Sequence, residues 1–244
     1  MAERERRPAY YAAAPGGVRD WWTLLHPPYT LWHLSYVVLG ACLAPHVGVG
    51  RLVATVLAFF AAVGIAAHAL DELHGRPLHT RIPDRALIVA TAGGLTVAIA
   101  LGVAGVSEVG LALVPFIVVG PLLVLGYNLE LLGGRVHTDT GFALAWGAFP
   151  LLTGYVAQTG RIDVAPVVAA GGAFALSYAQ RSLSSPARLI RRRATSISGE
   201  VALDDGTTRE INERTMLAPL ERALRALSWS TIAFATALAL TRLT

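Results

Sequence analysis

Residues 86–105 read ALIVATAGGLTVAIALGVAG, a run without a single charged side chain. As a helix these roughly twenty residues extend about 30 Å, the hydrocarbon thickness of a bilayer. In lipid every backbone N–H and C=O must find its partner within the protein, and a helix meets that demand by itself. Runs of the same kind recur at 30–47, 52–70, 109–128, 141–158, 163–180 and 228–243. None alternates apolar and polar residues at strand period, which argues against a barrel. The chain of 244 residues is 54% hydrophobic and only 15% charged, too little charge to cover a soluble domain. The expected fold is all-α: a polytopic bundle of about seven transmembrane helices.

Charge sets the expected orientation. All 20 basic residues are Arg. With the N-terminus cytoplasmic, the inside segments are 1–29, 71–85, 129–140 and 181–227, and they hold 17 of the 20; Arg51, Arg161 and Arg242 fall outside. The positive-inside bias therefore predicts the cell membrane with a cytoplasmic N-terminus and an external C-terminus. The formal net charge of +4 follows from this topology and calls for no nucleic-acid partner. MAERERRPAYYAAAPGG has no apolar core of a cleavable signal peptide. The single Cys42 excludes a disulfide framework and a cysteine metal cage, and is expected to pack within its helix.

The same pattern divides the chain into a flexible cytoplasmic tail (1–20), a six-span bundle (21–186), a cytoplasmic loop (187–227) and a last transmembrane helix (228–244). Trp21 and Trp22 fit the aromatic belt at a membrane surface, with a short interfacial helix broken by Pro27-Pro28. Within the loop, TSISGEVALDDGTTREI reads as a hairpin turning at Asp205-Gly206. Leu217, Leu220, Leu224 and Leu227 then mark one face of an amphipathic helix.

Polar residues gather at the inner ends of the spans. In HALDELHGRPLHTRIP (68–83), His68, Asp71 and Glu72 lie at i, i+3 and i+4, neighbours on a helix. Gly75 and Pro77 end that helix. Ionisable residues at the end of a span are functional candidates because they are costly unless paired or coordinated. YNLELLGGRVHTDTGF (127–142) adds Tyr127, Asn128, Glu130, His137 and Asp139 on the same side, and His33 is able to join them. Imidazole with carboxylate suits iron, zinc or manganese, whereas all-oxygen sites suit magnesium. The candidate metal ligands are His68, Asp71, Glu72, His74, Glu130 and His137. Asp71-x-x-His74 is a shortened form of the Glu-x-x-His pattern of di-iron bundles. Arg76 and Arg81 offer planar forks for an anionic head group. At the inner end of the sixth span SYAQRSLSSPARLIRR supplies Gln180, Arg181, Ser182 and Ser184, and no carboxylate.

With these residues in view, the layout resembles the UbiA superfamily of membrane prenyltransferases over about residues 20–195. LLHPPYTLWHLSYVVLGA is similar to the family's entry into its first span. HALDELHGRPLHTRIP stands where the first Asp-rich motif belongs, and GYNLELLGGRVHTDTGFALAWGAFPLLTGY resembles the segment linking spans four and five. The family usually has nine spans, with magnesium held by two Asp-rich motifs binding a prenyl diphosphate. Here the first motif carries His68, Asp71 and Glu72, and the second, Ser177 to Ser185, has no acid. The resemblance implies a divergent relative with degenerate motifs.

Three functions are compatible with this reading. The first is metal-assisted prenyl transfer or cyclisation of an isoprenoid or other lipophilic substrate. Asp71, Glu72 and His68 would be catalytic, Arg76, Arg81, Arg181, Tyr127 and Asn128 would bind substrate, and magnesium would be the metal. The second is a membrane oxidoreductase using iron, or another His-bound metal such as manganese or zinc. The third is a non-catalytic relative that binds lipid or a quinone. Transport is disfavoured, since the sequence has neither inverted repeats nor paired broken helices.

Overall fold

The computed structural model describes residues 8–131 and 133–244. The chain is mostly helical. A short helix α1 (Val18–Leu24) leads into α2 (Pro27–Cys42), and five helices follow: α3 (Val49–Leu73), α4 (Asp84–Val109), α5 (Leu111–Asn128), α6 (Asp139–Thr159) and α7 (Val164–Arg193). A hairpin of β1 (Ser198–Ala202) and β2 (Thr208–Asn212) precedes α8 (Glu213–Leu243). The helices α2 to α8 follow the order of the seven expected apolar runs, but α2 ends at Cys42, α7 continues to Arg193 and α8 begins at Glu213. Five of them, α3, α4, α5, α6 and α8, are long and apolar enough to cross a membrane. Of the other two, α2 has 16 residues and α7 carries Arg191, Arg192 and Arg193 in its last turn.

Large apolar side chains face outward: Val89 on α4 is 70% exposed and Phe234 on α8 is 71% exposed. A belt of this kind is stable only against lipid. Inside the bundle small residues bring backbones together. A Cβ on Gly40 of α2 would lie 1.9 Å from the Leu151 carbonyl oxygen, and one on Gly154 of α6 would lie 2.2 Å from that of Val37. The α2–α6 crossing is thus a glycine contact from both sides, the close approach that membrane helices use to gain dispersion contact.

Two stretches are π-helical, Phe60–Ala67 within α3 and Leu144–Ala148 within α6. Such bulges cluster at functional sites. At the start of α2 His26 takes a left-handed conformation (φ 45°), and prolines fill the first helical positions, where no N–H partner is needed.

Two expectations need revision. Residues 8–20 are not a free tail: Ala9 and Ala12 are buried, Tyr10 and Tyr11 pack against Tyr29, and Asp20 accepts from the backbone N–H of Gly16 and Arg81. Their aromatic and small residues give the segment enough apolar surface to dock on the bundle. Residues 1–7 of that expected tail lie outside the described residues. The expected separation of an amphipathic helix from a last span also disappears, since α8 runs unbroken. Its buried residues Leu217, Glu221, Leu224, Ser228, Thr231 and Ala235 form one continuous stripe at alternating spacings of four and three. The hairpin is present, with Ser198 opposite Asn212 and Ala202 opposite Thr208. Asn212 then caps α8 by accepting from the Thr215 N–H.

Candidate functional site

Two cavities meet inside the bundle. One, of about 280 Å³, is polar and lies where α2, α3, α5, α6 and α7 converge beneath the N-terminal segment. The other, of about 660 Å³, is lined mainly by apolar residues of α3, α4, α5 and α6, including Ala58, Ile99, Ile117 and Phe149. Val63 and Trp146 line both. Each of these shared residues sits in one of the two π-helical stretches.

The π-helical backbone also positions histidines. The carbonyl of Trp146 lies 2.8 Å from His33 Nδ1, and that of Gly64 lies 3.2 Å from His68 Nδ1. A third ring, His137, has its Nδ1 3.0 Å from the Tyr127 carbonyl and stacks on the Tyr127 ring at 4.3 Å. A carbonyl only accepts, so each Nδ1 carries the proton when the ring is neutral and Nε2 holds the lone pair. For His137 that lone pair meets the Arg181 guanidinium at 3.4 Å. His26 stands edge-on to His68 with centroids 4.3 Å apart. Burial first, and the neighbouring His68 second, hold the His26 pKa well below that of a free imidazole, so it stays neutral.

Of the residues singled out in the sequence, His68, Asp71, Tyr127, Asn128, His137 and Arg181 line the polar cavity, as does His33. The others do not. Glu72 is fully buried, yet its carboxylate accepts from the Leu78 N–H at 3.0 Å and from the Thr80 N–H and hydroxyl at 2.9 and 2.8 Å. Glu72 follows Asp71 by about 100° around the helix. The cavity takes the arc from His68 to Asp71, and the 74–83 loop takes the Glu72 side. Arg76 is spent on the same loop, pairing with Asp84 and donating to the Ile82 carbonyl at 2.7 Å. His74 and Arg81 are exposed, and the backbone N–H of Arg81 is tied to Asp20. Glu130 is exposed at the rim, 3.8 Å from His137 Nδ1.

Sequence reasoning missed Tyr11, His26, Tyr29, Arg188 and Arg192, all of which line the cavity. The signal for the arginines was available. Arg181, Arg188 and Arg192 are spaced i, i+7 and i+11, within about 20° of one line along a helix, but reading the last two requires α7 to continue beyond the apolar run.

The donor set does not fit a divalent metal. Among the described residues no group of three or more His, Cys, Asp or Glu is placed to hold one. Asp71 is the one carboxylate among the cavity's lining residues, against three guanidiniums. The expected six-residue metal centre is therefore not assembled, because Glu72 is consumed by its loop and His74 and Glu130 point elsewhere.

The polar lining has unmet hydrogen-bonding capacity. The Tyr127 hydroxyl and the Gln180 Oε1 are buried without a partner among the described residues. Arg181 donates to Asp139 at 3.1 Å and lies over the Phe142 ring at 5.5 Å. Arg188 reaches the Ser185 hydroxyl, and Arg192 reaches the Pro8 carbonyl at 3.4 Å.

A comparison with solved structures finds the structure of a UbiA homolog from Archaeoglobus fulgidus bound to Cd2+. It has a TM-score of 0.52 and 16% sequence identity, and the match covers 92% of this chain and 85% of that one. At this identity the likeness is one of fold: the chain is an integral membrane protein with a UbiA-like helical architecture. The resemblance drawn from the sequence holds at that level. No protein-family model and no curated protein matches the chain.

Proposed function

We propose that this protein is a UbiA-like membrane enzyme that binds an isoprenoid amphiphile, head group in the polar cavity and chain in the apolar one, and carries out prenyl transfer or cyclisation. The observation that carries this reading is the adjacency of the two cavities across the shared wall residues Val63 and Trp146. A ligand spanning both has a compact polar end and a long apolar tail, and the combined space suits a lipid-sized molecule. All seven long helices cross the bilayer in this reading, with the N-terminus cytoplasmic. The Arg distribution supports that orientation.

The chemistry would be heterolysis of an allylic C–O bond, with the electron pair leaving on the diphosphate oxygen. The cation left behind is captured by an acceptor's electron pair or by a double bond of the same chain, and a proton is then lost. Trp146, Tyr127 and Phe142 surround the junction; Tyr127 and Trp146 meet edge to face at 5.8 Å. Aromatic faces stabilise a passing cation without trapping it as a nucleophile would. His68, with its Nε2 lone pair free, is the base closest in character to what proton loss requires.

The test is diphosphate release from allylic prenyl diphosphates of increasing chain length by the purified protein, with Val63→Trp beside wild type. We expect release by wild type, and a loss in Val63→Trp that grows with chain length because the new ring blocks the passage. Absence of release from every chain length would defeat the catalytic reading. Retention of a bound lipid in that case would favour the non-catalytic amphiphile binder.

A further inference from the structure

Resting on that placement of the head group, we infer that the polar cavity holds a phosphate-class oxyanion directly on Arg181, Arg188 and Arg192, with guanidiniums standing where a metal ion would otherwise bridge.

The charge balance of the cavity favours an anion. The Arg181–Asp139 pair is internally compensated. That leaves Arg188 and Arg192 against Asp71, an excess of one positive charge before any ligand enters. Neither Arg188 nor Arg192 has a carboxylate within ion-pairing distance among the described residues. A dication added here would meet that net positive charge, and in a poorly solvated site the repulsion is large. An anion meets the opposite field. Guanidiniums also match phosphate oxygens two at a time, which a point charge does not.

The neutral groups agree. The Tyr127 hydroxyl, buried and unpartnered, is free to donate to an oxyanion. The His137 lone pair already faces Arg181 and so helps fix that guanidinium in place. Gln180, 2% exposed with its Oε1 unpartnered, is able to accept from a protonated phosphate oxygen or to present its amide N–H groups. These groups surround the place to which the three arginines, carried on one line of α7, are directed.

The experiment is titration of the full-length protein in detergent with inorganic pyrophosphate, followed by calorimetry, in EDTA and again with magnesium. We expect binding in EDTA, weakened about tenfold or more by Arg188→Gln, since a hydrogen bond to a charged group is worth at least that factor. Asp71→Asn decides the matter from the other side. If the oxyanion sits on arginine alone, removing this carboxylate leaves binding unchanged or tightens it. If a metal mediates, the same change abolishes it. Arg192→Gln provides a second reading should Arg188→Gln fail to accumulate. Binding that appears only with magnesium and vanishes in Asp71→Asn would overturn the inference while leaving prenyl transfer intact. Binding in EDTA without turnover of any prenyl diphosphate would do the reverse. Competition by phosphatidic acid vesicles separates the sources of the anion. Displacement of pyrophosphate assigns the same arginines to a phospholipid head group, and indifference assigns them to the substrate's own; both leave the metal-free oxyanion site standing.

Discussion

Two polar stretches at the same end of the bundle have opposite fates. Residues 72–84 contain the acids and arginines that looked most like a site, and they mostly satisfy one another. Glu72 holds Leu78 and Thr80, and Arg76 holds Ile82 and Asp84. Residues 180–192 on α7 offered the sequence reading only Arg181 and neutral polar groups, yet they supply the cavity with its positive charge. The difference is geometric. A loop that doubles back can bring donors to its own carboxylate. Along α7 the residues near Arg188 and Arg192 include no carboxylate, so their charge is left for whatever enters the cavity.

This contrast can be broken experimentally. The largest effect is expected for Glu72→Ala, which strands three donors around a buried site and should cost about 3 kcal/mol or more. Thermal unfolding in detergent measures it, and a melting temperature equal to wild type would mean that Glu72 does not hold the loop. Arg76→Gln removes a half-exposed pair whose Asp84 side chain is 70% exposed. It should therefore cost about 1 kcal/mol or less, and a loss comparable to that of Glu72→Ala would show that the loop depends on its rim as much as on its centre. Arg188→Gln should be the smallest in stability, unchanged or raised by up to about 1 kcal/mol, because it removes a partly buried cation that has no carboxylate partner among the described residues. Marked destabilisation by this variant would return α7 to a structural role.

The structure brings together His68, Asp71, Tyr127, Asn128, His137 and Arg181 because each lies at or just beyond the same end of an apolar run, and those ends can be read from the sequence. Glu72 was misread for a reason no spacing rule catches. It shares a helix face with His68, but whether that face meets a cavity or a loop depends on the path of residues 74–83. Tyr11 and His26 were overlooked because the chain before the first span lacks periodicity. Only its docking against Tyr29 and His68 gives it a place. The amphipathic helix marked by Leu217 and Leu224 reads as feeding the last span, and the buried stripe carries on through Ser228, Thr231 and Ala235 in one helix.

What the sequence determined by itself was the solvent and the class of structure. Long uncharged runs can satisfy their backbone in lipid only as helices, and the order of those runs dictates the bundle. What only the tertiary structure decided was the sign of the site. Carboxylates and guanidiniums stand close together along the chain. Which of them remains unpaired at the cavity depends on partners supplied across space, and here the loop satisfies Glu72 while α7 leaves Arg188 and Arg192 without a carboxylate among the described residues.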